Sequence, residues 1–114
     1  MLRIFLSIST IVVLTMIGCT YENEEELMAD QCQEVSFDQD VKPIIQNNCA
    51  VSGCHVSGTP PPDFNEFNNI KIRTSLIRQF INTGVMPPAS SGRTLSDEQI
   101  KTITCWIDAG APAN

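Results

Sequence analysis

Two thiols and an imidazole stand close together in Cys49-Ala50-Val51-Ser52-Gly53-Cys54-His55. Four residues separate the cysteines, and the only histidine of the chain directly follows the second. Thiol, spacer, thiol, histidine is the order in which a chain grips haem covalently. The two sulfurs add to the two vinyl groups, and the neighbouring imidazole is held close to the iron as its proximal ligand. On this chemistry Cys49 and Cys54 are thioether positions for one haem c, and His55 is the proximal ligand. The usual spacer has two residues. The two extra residues must bulge out, and Ser52-Gly53 permits this because glycine accepts unusual backbone dihedrals.

A second axial ligand must come from elsewhere, since no other histidine exists. Of four methionines, Met1 and Met16 lie in an apolar leader and Met28 in an acidic stretch. Met86 remains, and Pro87-Pro88 stiffen the backbone just after it. A thioether is a soft ligand that favours ferrous iron, so His55 with Met86 gives a high-potential pair. With both axial positions filled, no iron site is open to a small molecule, which argues for an electron carrier and against an enzyme. Two other chemistries use the same residues. Zinc on Cys49, Cys54 and His55 requires a fourth ligand, which only Cys32 or Cys105 supplies. A structural or adhesive protein would pair Cys32, Cys49, Cys54 and Cys105 as two disulfides, with no cofactor.

The first 18 residues read as a leader rather than as fold. Arg3 supplies one positive charge, 4–17 is almost wholly apolar, and Gly18-Cys19 follows. The apolar run is shorter than the ~20 residues that a membrane-spanning helix needs. Thr15-Met16-Ile17-Gly18-Cys19 resembles a bacterial lipobox, which implies cleavage before Cys19 and lipid on its thiol. The alternative is an ordinary secreted chain cut elsewhere. Lipidation predicts a cell-envelope protein anchored to a membrane, on its periplasmic face or on the outer surface of an outer membrane. Stable anchoring takes more than one acyl chain, as the multiply acylated cysteine of bacterial lipoproteins provides.

Net charge is −6, from 13 acidic and 7 basic residues. Loss of Arg3 with the leader takes it to about −7. The acid is uneven: Glu22, Glu24, Glu25, Glu26, Asp30 and Glu34 fall within 20–34 without one base. Residues 19–34 therefore read as an acidic tether, and 35–114 as a nearly neutral domain. A basic surface for nucleic acid is absent. The acidic cluster reads as a solvated tail; in some Gram-negative lipoproteins a similar cluster after the lipidated cysteine resembles a mark for surface display.

Three helices must position the site. The first spans 36–48, N-capped by Ser36 with Gln39 as its capping-box partner, and Pro43 kinks it or forces a restart near Asp40. A loop over 56–62 contains three successive prolines. Asp63 and Glu66 give a second capping signature, and 64–82 reads as one helical region whose stripe is Ile72, Leu76 and Phe80, flanked by Ile77 and Ile81. Lys71, Arg73 and Arg78 fall off that stripe, on a solvated face; one of them pairing with a haem propionate is the alternative. Gly84 ends this helix. Ser96 with Gln99 starts the last helix, which buries Ile100, Ile103 and Ile107 and stops before Gly110 and Pro112. Cys105 points away from that stripe, and Trp106 lies on its flank.

From Ser36 onward the chain resembles the small class I cytochrome c family, in particular single-haem domains of exported bacterial proteins. The matching pieces, in family order, are Val41 to Ile45, Asn48 to His55, Gly84 to Pro88 and Trp106 to Ala111. The resemblance implies an all-α cytochrome c-like domain of three main helices around one haem, with Met86 arriving as distal ligand and redox proteins as partners. If Cys19 carries lipid and Cys49 and Cys54 carry haem, Cys32 and Cys105 remain, an even number that predicts a disulfide in an oxidising compartment. Spacing alone does not fix connectivity. In the family the first and last helices cross, which would bring Cys32 within range of Cys105.

Overall fold

A computed structural model describes residues 32–114. Residues 1–31, and with them the expected leader, Cys19 and Met28, lie outside the described residues. The described unit is all-α and has four helices, with no strand among the described residues. No helix among them is long and apolar enough to cross a membrane.

The chain enters through a π-helical turn, Phe37–Val41, that runs directly into α1, Lys42–Asn48. Ser36 Oγ caps the turn by accepting from Gln39 N–H at 3.3 Å. The reciprocal bond goes to Asp40 instead of Gln39: Ser36 N–H donates to Asp40 Oδ2 at 2.8 Å. The wide turn resolves the problem of Pro43. Proline lacks an N–H and is tolerated only in the first turn of an α-helix. The chain completes one π turn and restarts as α1, which leaves Pro43 at the N-terminal edge.

The region expected as one helix is two, α2 (Phe67–Lys71) and α3 (Thr74–Asn82), which makes four helices in place of three. Arg73, at the joint, has φ −119° and ψ 13°, outside the helical range. The break rotates the apolar stripe. Ile70 is buried and Ile72, expected inside, is 73% exposed. Asp63 does not cap a helix either. Its Oδ1 accepts from Asn65 N–H at 2.9 Å in a local Asx turn, and α2 begins later without a side-chain cap.

After α3 a short 3₁₀ turn, Ala89–Ser91, leads to α4, Asp97–Asp108. Ser96 and Gln99 form both bonds of a capping box, at 3.2 and 3.0 Å. Gly84 and Gly110 end α3 and α4 in the left-handed conformation, φ +70° and +88°. In each case the next residue donates five positions back, Val85 to Phe80 O and Ala111 to Trp106 O, both at 2.9 Å. This is the pairing that satisfies otherwise orphaned carbonyls at a helix end.

The N-terminal segment and α3 both pack on α4. Trp106, Ile45, Ile70, Ile103 and Val41 are fully buried. Trp106 stands at the centre rather than on a flank. Phe37 packs 5.3 Å from it and Phe67 6.3 Å, centroid to centroid, and its Nε1–H donates to Pro112 O at 2.9 Å. Such a ring buries much apolar area and satisfies its one donor, so both of its demands are met. Cys105, on the other side of α4, is bonded to Cys32, with Cα atoms 5.4 Å apart.

Candidate functional site

The end of α1 delivers Cys49 and the loop that follows. Cys49 N–H and Ala50 N–H both donate to Ile45 O, at 2.8 and 2.9 Å, which closes the helix. Val51 to Cys54 then form a tight turn, with Cys54 N–H donating to Val51 O at 2.9 Å. Gly53 occupies the third position of that turn at φ +80°, a conformation that any side chain would strain. His55 N–H donates to Cys49 O at 3.1 Å, so the residues around the spacer are pinned across its base. The four-residue spacer is thus a closed loop that leaves the ends of the motif joined. Thr59 Oγ1 reaches the carbonyls of Cys54 and Val56 and secures the far side.

The His55 ring is fixed by two contacts. Its Nδ1 lies 3.0 Å from the Pro62 carbonyl oxygen. A carbonyl only accepts, so Nδ1–H is the donor of this bond, and in the neutral ring that assigns the lone pair to Nε2. The Phe64 ring stacks on the imidazole with centroids 4.1 Å apart and planes within 5°. Phe64 also donates its backbone N–H to His55 O at 3.0 Å. Neither Pro62 nor Phe64 stands out in the sequence as a partner of the imidazole. The run of prolines marked a loop, but nothing in it marks which carbonyl meets the ring.

Met86 enters on the segment after α3. Its N–H donates to Phe80 O at 3.2 Å. The following turn is tied back to α1, because Arg93 Nε donates to Asn47 O at 3.4 Å. Cys49, Cys54, His55 and Met86 all line one cavity of about 440 Å³. Its walls are otherwise mainly apolar, with Ile77, Ile81, Phe80 and Pro87 prominent. That size is within the range of clefts that hold cofactors. Leu76 and Val85, each 51% exposed, together with Ile72 form the exposed large apolar residues of the described unit.

Cys49 and Cys54 are free thiols. Burial, and then the neighbouring Cys54, push the Cys49 thiol up to about 11 from 9.0. Both effects penalise the thiolate, so Cys49 is held as a neutral thiol near pH 7. Cys32 and Cys105 lie outside the cavity lining, consumed in their mutual bond. Among the described residues no three His, Cys, Asp or Glu side chains are gathered as a metal site.

Comparison with protein-family models, with curated proteins and with solved structures finds no match to this chain.

Proposed function

We propose that this chain is a membrane-anchored c-type cytochrome that carries single electrons through one covalently bound haem c. The observation that carries the reading is the convergence of Cys49, Cys54, His55 and Met86 on one apolar cavity, from two segments separated by α2 and α3. The residues fit the group. Two free thiols are present, one imidazole has its Nε2 unengaged, one thioether faces the same space, and the surrounding wall is apolar.

When bound, haem supplies a one-electron ferric–ferrous couple. Cys49 and Cys54 would hold it by adding across its vinyl groups. Each sulfur bonds one carbon and its hydrogen goes to the other, so the addition consumes no oxidant. His55 would offer Nε2 to the iron, with Pro62 fixing the tautomer and Phe64 fixing the ring plane. Met86, which lines the same cavity, would offer its thioether sulfur as the second protein ligand, a soft donor that favours the reduced state. The apolar walls exclude water from the cofactor, and redox proteins are the partners for electron entry and exit. Lipid on Cys19 would keep the domain at a membrane of the cell envelope, with the acidic tether between them.

Zinc loses its fourth ligand in this arrangement, because Cys32 and Cys105 are bonded to each other. A cofactor-free protein with two disulfides gives the cavity no use.

The test is an alkaline pyridine spectrum of protein from its native host after acid–acetone extraction. A ferrohaem band that stays with the protein, at the position for two saturated thioether links, supports the reading. A band at the one-link position means that the long spacer defeats one thiol. No haem band refutes the cytochrome reading.

A further inference from the structure

The three cations of the α2–α3 region are sorted by the fold. Lys71 Nζ donates to Gly110 O and, at 2.7 Å, to Ala111 O. Arg78 donates to Thr104 O at 3.3 Å and pairs with the Asp108 carboxylate. Both are thus spent at the C-terminal end of α4, where helix carbonyls favour positive charge. Neither is a merely solvated cation. Arg73 alone of the three lines the cavity.

Arg73 is half-buried, and one of its five N–H donors is engaged, NH1 to Asn69 O at 3.0 Å. Among the described residues no carboxylate pairs with it. No Asp, Glu or Lys lines the cavity; the ionisable groups there besides Arg73 are Cys49, Cys54 and His55. The polar side chains of the wall are already engaged, Asn48 with Ile44 O at 2.9 Å and Ser91 with Pro88 O at 2.7 Å. The cavity therefore presents an apolar body and one permanent positive charge without an anion. A guanidinium in apolar surroundings is costly unless an anion compensates it, and its planar fork matches a carboxylate.

Resting on the haem reading, we propose that Arg73 is the positioning residue for the anionic edge of the cofactor, its guanidinium paired with a propionate carboxylate. The pair fixes which edge of the haem faces the joint between α2 and α3. It also keeps that propionate ionised and its charge compensated.

The test is potentiometric titration of the lipidated holoprotein between pH 5 and pH 8, with haem content read from the pyridine spectrum. Wild type holds a flat midpoint over this range. In Arg73→Gln the haem content is unchanged and the midpoint falls. At fixed ambient potential near pH 7 the ratio of oxidised to reduced protein rises about threefold or more, as expected when a nearby positive charge is lost. The midpoint of this variant also slopes with pH as the unpaired propionate takes up a proton, whereas Arg73→Lys keeps the flat profile. Arg73→Gln with attached haem and a wild-type profile overturns the proposal, and so does an equal change in both variants, which marks a structural role at the joint. If the glutamine variant does not accumulate, the wild-type profile decides: a slope between pH 5 and pH 8 overturns the pairing. Wild-type protein without attached haem overturns the cytochrome reading itself.

Discussion

Removing the Cys32–Cys105 bond tests whether the domain depends on a covalent brace. The bond closes a loop of sequence separation 73. In the chain-entropy account this restricts the unfolded ensemble by about 4.4 kcal/mol at 25 °C. Small domains have a total stability of only about 5–15 kcal/mol. The paired variant Cys32→Ala with Cys105→Ala is the right perturbation, because Cys105 is buried and a hydroxyl there would add an unsatisfied polar group. Guanidinium unfolding of the full-length protein, followed through Trp106 fluorescence, gives stability and m-value together. The expected loss is about 4 kcal/mol, with a rise in m because the unbraced unfolded chain exposes more surface. The thermal midpoint should fall by roughly 4–8 °C for each kcal/mol lost. A loss under about 1 kcal/mol with an unchanged m-value would refute the reasoning, since the brace would then not limit the unfolded state.

Replacing His55 by Ala should abolish a stable low-spin haem spectrum, and Met86→Ala should lower the reduction potential and open the iron to carbon monoxide; an unchanged potential removes Met86 from the axial position. Gly53→Ala should destabilise the domain by about 1–2 kcal/mol in thermal unfolding, since the site is at φ +80° and an added Cβ would meet no non-neighbouring atom within 4 Å, so that only backbone strain acts. Gly53→Asn should cost less than Gly53→Ala, because Asn visits the left-handed region more readily. In protein made without haem attachment, Cys49 should be alkylated by iodoacetamide at pH 8 about a hundredfold more slowly than an ordinary thiol, because only the thiolate reacts. Its labelling, read by mass spectrometry, should increase with pH up to about 11. In that same protein the unfolded chain ionises first, near 9.0, so stability is complete below that pH and declines as pH rises toward about 11.

Most features legible in the sequence are set by neighbours in the chain; the Cys32–Cys105 bond, reached by counting cysteines, is the long-range exception. Ser96 and Gln99 carry their capping partners within one turn, and Gly84 and Gly110 need only their own freedom to stop a helix. The Cys49 to His55 motif is local in the same sense. Features set by distant backbone were hidden. Lys71 and Arg78 read as solvated because their partners lie at the far end of α4, 26 to 40 residues away. The joint at Arg73 has no Gly or Pro to announce it, and Ile72 beside it faces outward against its helical periodicity. Trp106 looked peripheral on a helical wheel because the wheel omits Phe37 and Phe67, which come from other elements to enclose it. Pro62 and Phe64 were illegible because a carbonyl and a stacked ring leave no motif.

Among the described residues, tension applied at the N-terminal end meets the covalent bond at Cys32 before it meets a hydrogen bond. The load passes from Cys32 into the body of α4 and its Trp106 packing. It bypasses the clasp in which Ser36 Oγ and Asp38 N–H both donate to Asn114 O at 2.9 Å. It bypasses the π turn, α1 and the Cys49–His55 loop as well. A domain braced this way can be pulled at Cys32 without peeling from its N-terminal end, so the cavity keeps its shape while that end is under strain. With the bond reduced, the same pull would fall first on the clasp at Ser36 and then on α1, whose last turn holds Cys49.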